Sequence, residues 1–512
     1  MLTAKALGYA LPEGRALFQN LNFTIENKKY GLVGINGVGK STLVKILGGV
    51  LEPSSGQLIG ATRGVYLPQW EDRPEMTAGE YLVDIWEGTE ATLRESLLKD
   101  LDLAKPLAVL SGGQWMRVRL LRALAHAGDL LILDEPTNDL DRESRKGLYH
   151  FVQTYTGGLL IISHDRELLE YVDEIWELTN QGISVYGGGF DFYEEAKIGE
   201  RALLAERIDT ARREKKKQER EHIEKLDRQA KRTRLAEKKA PDMGIPKIIL
   251  GGRKRQAQVT AGKIHSAEQE RDQQRAAEFQ QLLEKQKQSS EIRLDFSLGT
   301  KPKGKVIFSL ENFNCRYVGQ ESMLWQQPIT LTLYAGDRLN IRGGNGTGKS
   351  TLLKILTGVL ASEKCERYGH VSEILRKYVY LDQNYNLLDN KQNIIESLLE
   401  DCRYDQTEAR NRLADYGFTG DSVFKSIGVL SGGERLRLCL AKLAFSLKTP
   451  EVWILDEPTN NLDLDSLAVL EAALREYDGT LIIVSHDERF IERISCGQWL
   501  QLVSAQKDRS DL

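Results

Sequence analysis

Short, wholly apolar runs separated by glycine turns and helical stretches organise the chain. Tyr30–Val33 is one such run, feeding a glycine-rich turn, and Ser41–Leu47 then begins a helix. Leu130–Leu133 and Leu159–Ile162 are apolar at every position. That is the pattern of strands covered on both faces of a parallel sheet, not the alternation of a half-exposed strand. Strands of this kind alternating with helices predict an α/β layered domain. No run approaches the ~20 apolar residues of a membrane span; the longest, such as Gly158–Ile162 and Leu481–Val484, are strand-sized.

The pattern occurs twice. GINGVGKST at Gly34–Thr42 returns as GGNGTGKST at Gly343–Thr351, and LSGGQ at Leu110–Gln114 returns as LSGGE at Leu430–Glu434. LILDEPTNDLD at Leu131–Asp141 returns as WILDEPTNNLD at Trp453–Asp463, and IISHD at Ile161–Asp165 returns as IVSHD at Ile483–Asp487. The offset grows only from 309 at the loop lysines to 322 at the histidines. Four strings in one order at nearly one offset mean a duplicated domain.

Between the copies the pattern changes. Residues 202–240 contain no Gly or Pro and are rich in Arg, Lys, Glu and Gln, which predicts a long helix. The breakers Pro241, Gly244, Pro246, Gly251 and Gly252 follow, then a second helical stretch from about Ile264 to Gln288. Leu204 and Ile208 on the first helix, and Ala276, Phe279 and Leu283 on the second, are spaced to zip the base of an antiparallel pair. The distal part offers only Ile223, Leu226 and Leu235 as large apolar residues. A helix of about 40 residues reaches ~60 Å. At its tip, Ile248, Ile249 and Leu250 read either as a local apolar cap or as a surface that packs on a partner. The expected domains are 1–198, a linker 199–303, 304–505 and a short polar tail 506–512.

Composition adds two constraints. Of the 512 residues 41% are apolar and 28% charged, the balance of a globular protein. The five cysteines all follow Asn314 and match no metal pattern; with no secretory N-terminal pattern, they read as reduced thiols of a cytoplasmic protein. Net charge is only −4, but residues 211–263 carry 18 Lys/Arg against 7 Asp/Glu. A solvated helix face predicts near balance; this excess points to a polyanion such as RNA. Lys215, Lys216, Lys217, Arg232, Arg234, Lys238, Lys239, Lys247, Arg253, Lys254 and Arg255 are the candidate contacts.

The repeated strings carry phosphate chemistry. In G-x-x-x-x-G-K-S, backbone N–H groups wrap phosphates and the following helix directs its positive end at them. In the first copy the loop is Gly34, Ile35, Asn36, Gly37, Val38 and Gly39, with Lys40 for the β- and γ-phosphates, Ser41 for Mg²⁺, and Thr42. In the second copy it is Gly343, Gly344, Asn345, Gly346, Thr347 and Gly348, then Lys349, Ser350 and Thr351. Asp134 and Asp456 end apolar strands and suit a carboxylate that holds Mg²⁺ through water. Glu135 and Glu457, one residue on, suit polarisation of the attacking water. His164 and His486 each follow their glutamate by 29 residues and are candidates for the γ-phosphate. Ser111, with Gly112, Gly113 and Gln114, is an N-cap followed by bare backbone and a helix, a second anion site in need of a partner. Ser431, Gly432, Gly433 and Glu434 repeat it.

Together with Gln69 in YLPQW and Gln383 in YLDQN, these strings resemble ABC ATPase cassettes. The resemblance implies two P-loop cassettes that sandwich two ATPs head to tail within one monomeric chain, with Gln69 and Gln383 at the metal. One site would join Lys40, Ser41, Gln69, Asp134, Glu135 and His164 to Ser431–Glu434. The other would join Lys349, Ser350, Gln383, Asp456, Glu457 and His486 to Ser111–Gln114. Glu434 departs from the usual Gln. Tyr9 and Tyr317, about 25 residues before each loop, are candidates for stacking on adenine, with ordinary strand aromatics as the alternative. Tandem cassettes joined by a helical hairpin resemble the ABC-F family, although Asp139 and Asn461 stand where that family often has His. This resemblance implies an ATP hydrolase that acts on the ribosome, its linker reaching rRNA and tRNA near the peptidyl transferase centre, as a translation factor or an antibiotic-resistance protein. The 42 residues from Gln69 to Ser111 leave no room for the extra arm of some members. A transporter subunit with a separate membrane partner and a DNA-repair ATPase are the rival classes; the first leaves the basic hairpin unexplained, and the second calls for zinc cysteines or a much longer coiled coil, neither of which the sequence has.

Overall fold

A computed structural model describes residues 1–60, 64–83, 91–98, 101–126, 130–138, 140–239, 277, 279–280, 282, 304–360, 364–372, 375–382, 385–447, 450–460 and 462–505. The chain divides into two units, one of Met1–Tyr193 with Glu291–Leu512 and one of Glu194–Ser290. Both repeats lie in the first unit. In the first repeat the glycine loop leaves a strand, Lys29–Val33, at the interior of a six-stranded sheet. The sheet order is Val65–Leu67, Leu130–Asp134, Gly158–Ile162, Lys29–Val33, Glu174–Thr179 and Gly182–Gly187, all parallel but the last. Every side chain of Leu130–Asp134 and Gly158–Ile162 is buried, as continuous apolar runs require. A three-stranded antiparallel sheet, Leu2–Ala10 between Ala16–Ile25 and Ser55–Ile59, completes the repeat.

The second repeat has the same plan. Tyr378–Leu381, Val452–Asp456, Thr480–Val484, Arg338–Arg342 and Gln498–Gln501 form a parallel sheet in that order, and Val306–Tyr317 lies between Ile329–Tyr334 and Cys365–Val371. The fold is α/β, with two P-loop cassettes and a helical region between them. Among the described residues no helix is long and apolar enough to cross a membrane.

The long helix starts earlier than its sequence predicts. It runs Phe190–Lys239, through Gly199. An interior glycine costs only ~1 kcal/mol, and the first turn is fixed by packing: Phe190 and Tyr193 are buried, and the hydroxyls of Tyr186 and Tyr193 both donate to Glu177 at 3.2 Å. In the second unit Ile208 is buried, Leu204 half-buried and Ile223 exposed, and Lys215 Nζ lies 5.7 Å from the centre of the Phe279 ring. Ala277, Phe279, Gln280 and Leu282 are helical. The expected tip with Ile248–Leu250, and the remainder of the second helix, lie outside the described residues.

The cassettes meet through ion pairs beside the two SHD strings. Arg166 donates to Glu471 at 2.5 Å, with side chains 2% and 1% exposed, and Arg493 also reaches Glu471 at 3.5 Å. Arg489 of the second cassette pairs with Asp191 at 2.6 Å, and the guanidinium groups of Arg166 and Arg489 lie 5.7 and 5.8 Å from the centre of the Phe190 ring. Removing one member of a buried pair leaves an uncompensated charge and costs ~3–5 kcal/mol. Glu471→Ala should therefore lower stability by about that amount in urea unfolding. Arg166→Met with Glu471→Leu should recover most of it, and a loss under ~1 kcal/mol for Glu471→Ala would mean the pair is effectively solvated.

Candidate active sites

Each phosphate loop is closed by its own backbone. Gly39 and Gly348 take φ of 107° and 90° and cap the helices Lys40–Leu47 and Lys349–Leu356, a left-handed turn that any Cβ would strain. Gly34 has φ 145°, and a Cβ there would run into the Leu178 carbonyl. Lys40 Nζ folds back to donate to the carbonyls of Gly34 at 2.6 Å and Ile35 at 3.2 Å, with Asn36 Oδ1 at 3.5 Å. Lys349 does the same to Gly343 at 2.7 Å and Gly344 at 3.1 Å. Burial holds both ammonium groups below their ordinary pKa. Charge held on loop carbonyls in a partly dry cradle is available to a phosphate that displaces them.

The carboxylates sit where the strands end. Ser41 Oγ is 3.5 Å from Asp134 Oδ1. In the second cassette Ser350, Asp456, Glu457, Lys349 and Tyr317 line one cleft of about 550 Å³. Glu135 and Glu457 both take φ 48°, a left-handed conformation rare for a residue with a side chain. Their amides donate to Ile162 and Val484 carbonyls at 2.9 and 2.8 Å, which locks the turn to the strand before each SHD. There His164 Nε2 lies 3.2 Å from Glu135, and His486 Nε2 lies 3.3 Å from Glu457. Burial pushes Glu457 up to about 7 and Glu135 to about 8. It drives His486 down to about 4 and His164 to about 3. The imidazoles are therefore neutral, and His486 Nε2 also lies 3.2 Å from Lys349 Nζ, which can only donate. His164 Nδ1 and Glu457 Oε2 are buried without a hydrogen-bond partner among the described residues, open valences in the site itself.

The cassettes complete each other through two aspartates that the motifs do not single out. Asp463 caps the helix Leu464–Glu476, accepting from the Ser466 amide at 2.8 Å, and its other oxygen accepts from the Asn36 amide of the opposite phosphate loop at 3.0 Å. Asp141 caps Arg142–Thr154 through Ser144 at 3.0 Å and accepts from the Asn345 backbone. Burial raises both carboxyls, but these hydrogen bonds outweigh it, and both stay below the ordinary range. The LSGG segments pack against the same residues: a Cβ on Gly113 would overlap Ser144, and one on Gly433 would overlap Ser466 and lie 3.7 Å from Asp463. Each LSGG helix is thereby tied, through one aspartate, to the opposite phosphate loop. Ser111 and Ser431 themselves form capping boxes with Gln114 and Glu434, so the Glu for Gln exchange keeps the local cap. The only sequence signal for the aspartates is the shared LD ending of both strings.

Two more residues carry no motif of their own. Tyr66 donates to Asp134 Oδ2 at 2.9 Å and Tyr380 to Asp456 Oδ2 at 2.6 Å; each stands three residues before the glutamine in both copies. Tyr317 donates or accepts at Thr351 Oγ1, 2.7 Å away beside the phosphate loop, while Tyr9 lies 6.5 Å from Phe18. Gln69 is half-buried, and Gln383 lies outside the described residues. Lys215, Lys216 and Lys217 are exposed on the long helix. Arg232, Arg234, Lys238 and Lys239 fall in its helical backbone, their side chains outside the description, as are Lys247, Arg253, Lys254 and Arg255 altogether.

Comparison with known proteins agrees with this duplicated geometry. A family profile described as ABC transporter matches residues 18–138 and again 326–460. The chain is 30% identical over 482 residues to the ribosome protection protein VmlR of Bacillus subtilis, covering 94% of this chain and 83% of that one. It is 30% identical over 526 residues to ABC transporter F family member 5 of Arabidopsis thaliana, covering 91% and 70%. A solved RNase-L Inhibitor structure shares the fold at a TM-score of 0.57 and 18% identity, covering 98% of this chain and 90% of that one. With one cassette built on each copy of the motif set, the chain belongs to the ABC-F family of tandem-cassette ATPases.

Proposed function

We propose that this chain is a ribosome-directed ATPase of the cytoplasm, in which two ATPs close the cassettes and the basic helical linker meets RNA. The observation that carries the hydrolytic part is the repeated triad of loop lysine, strand-end glutamate and neutral histidine, with an aspartate of the other cassette on the loop amide. ATP phosphates would take Lys40 and Lys349 from the loop carbonyls that now hold them. Glu135 and Glu457, their pKa values brought near neutrality by burial, are suited to accept the proton of the attacking water. His164 and His486, with Nε2 3.2 and 3.3 Å from the carboxylates, would limit their movement. A serine hydroxyl and a carboxylate oxygen are hard ligands of the kind Mg²⁺ takes, so Ser41 with Asp134, and Ser350 with Asp456, fit the ion. Bound there it would neutralise charge on the β- and γ-phosphates. Tyr317 lines the cleft of its own loop, a position that suits an adenine platform.

The ribosome is supported by two independent facts. A relative alike over most of both chains is named a ribosome protection protein, and the linker concentrates 18 Lys/Arg against 7 Asp/Glu in residues 211–263.

Glu135→Gln with Glu457→Gln should retain ATP binding and slow turnover by ~10²–10⁴-fold. In ATP at low salt this form should co-sediment with ribosomes. If it sediments alone, the ribosome is not the partner; if turnover is unchanged, these glutamates are not the bases. For the linker, changing Lys215, Lys216, Lys217, Arg232, Arg234, Lys238 and Lys239 to Gln should flatten the salt dependence of ribosome binding. The log–log slope should fall by ~0.7–0.9 for each phosphate that the linker no longer neutralises. An unaltered slope would assign these charges to solvation of the helix.

A further inference from the structure

Tyr66 and Tyr380 occupy one position in the two cassettes, and strand register explains why each reaches an aspartate. Tyr66 pairs with Ile132 on the neighbouring parallel strand, and Tyr380 pairs with Ile454. Successive side chains alternate faces, so the residue two further along, Asp134 or Asp456, shares the tyrosine's face. Two residues of strand span ~6.6 Å, a distance a phenol can cover. The hydroxyls arrive at 2.9 and 2.6 Å, in both cases on Oδ2. In the first cassette this leaves Oδ1 directed to Ser41 Oγ at 3.5 Å. A carboxylate with one oxygen pinned no longer swings about its χ2 axis, and its free oxygen has one direction.

The tyrosines are also held. Tyr66 is half-buried, and a Cβ on Gly48, at the end of the phosphate-loop helix, would lie 2.6 Å from the Tyr66 Cβ. The same side chain thus touches the end of the loop helix and the end of the aspartate strand.

We propose that Tyr66 and Tyr380 are positioning residues for the metal step: each fixes its aspartate so that the free oxygen, with the serine hydroxyl, presents a preformed half-site to the divalent cation. This rests on the reading that Asp134 and Asp456 hold the cation. Partners that orient a metal-binding carboxylate contribute ~10–100-fold to metal affinity or activity, and phenylalanine removes only the hydroxyl.

The test uses the full chain with Tyr66→Phe and Tyr380→Phe together, and Mn²⁺ as a spectroscopic stand-in. With a non-hydrolysable ATP analogue, electron paramagnetic resonance should show the Mn²⁺ dissociation constant raised about tenfold or more. Analogue binding in EDTA and the thermal unfolding midpoint should stay as in the parent. The Mg²⁺ concentration for half-maximal ATPase should rise in parallel. Unchanged Mn²⁺ affinity, or a lowered midpoint that accounts for all the loss, would overturn the proposal and leave the hydroxyls a structural role. Asp134→Asn with Asp456→Asn is the control that separates the two readings. If that pair still binds Mn²⁺ normally, the metal assignment itself falls and the positioning role falls with it. If it loses Mn²⁺ while the phenylalanine pair does not, only the positioning role falls.

Discussion

The rest of the arrangement depends on two aspartates, each asked to satisfy two cassettes at once. Asp141 and Asp463 cap the helix that follows their own DEPTN string, and each also takes a backbone amide from the opposite phosphate loop. An ionised carboxylate accepting from N–H groups makes hydrogen bonds about twice as strong as neutral ones. A phosphate loop is a place where amides outnumber acceptors. The bond therefore orders the loop and joins the cassettes in one step. Each cassette supplies one loop and one aspartate, so the two junctions are reciprocal.

Around this frame the glutamates and histidines are held in an environment they would not choose in water. Both glutamates sit in left-handed backbone, which costs of order 1–3 kcal/mol and survives only where its surroundings over-determine it. Here the amide bonds to Ile162 and Val484 do so. Burial then raises the glutamates and lowers the histidines, so that a neutral imidazole faces a carboxyl near its titration point.

The two junctions are alike in plan and different in chemistry. Glu488 occupies in the second copy the place of Arg166 in the first, directly after SHD. One junction is braced by Arg166 and Glu471, almost wholly buried; the other is spanned by Arg142 and Glu488, 49% and 42% exposed. Exposed pairs contribute ~0–1 kcal/mol, whereas breaking a buried one costs several. The chain is duplicated, but the energies that hold its two seams are not.

By itself the sequence determined the architecture of each cassette and the identity of its phosphate chemistry. Both are local: continuous apolar runs dictate buried parallel strands, glycines dictate a left-handed loop, and a lysine and serine in fixed spacing follow at once. The long helix was legible for the same reason, except at its start, where burial of Phe190 and Tyr193 overrides the propensity of Gly199. Tertiary structure alone decided what faces what. Asp141 meets a loop some two hundred residues away in the other copy, Tyr66 meets Asp134 only because the strand register sets them two residues apart on one face, and Glu135 takes φ 48° only against the strand before His164. Such partnerships arise from strand order and from the apposition of the copies, which no spacing along one chain encodes.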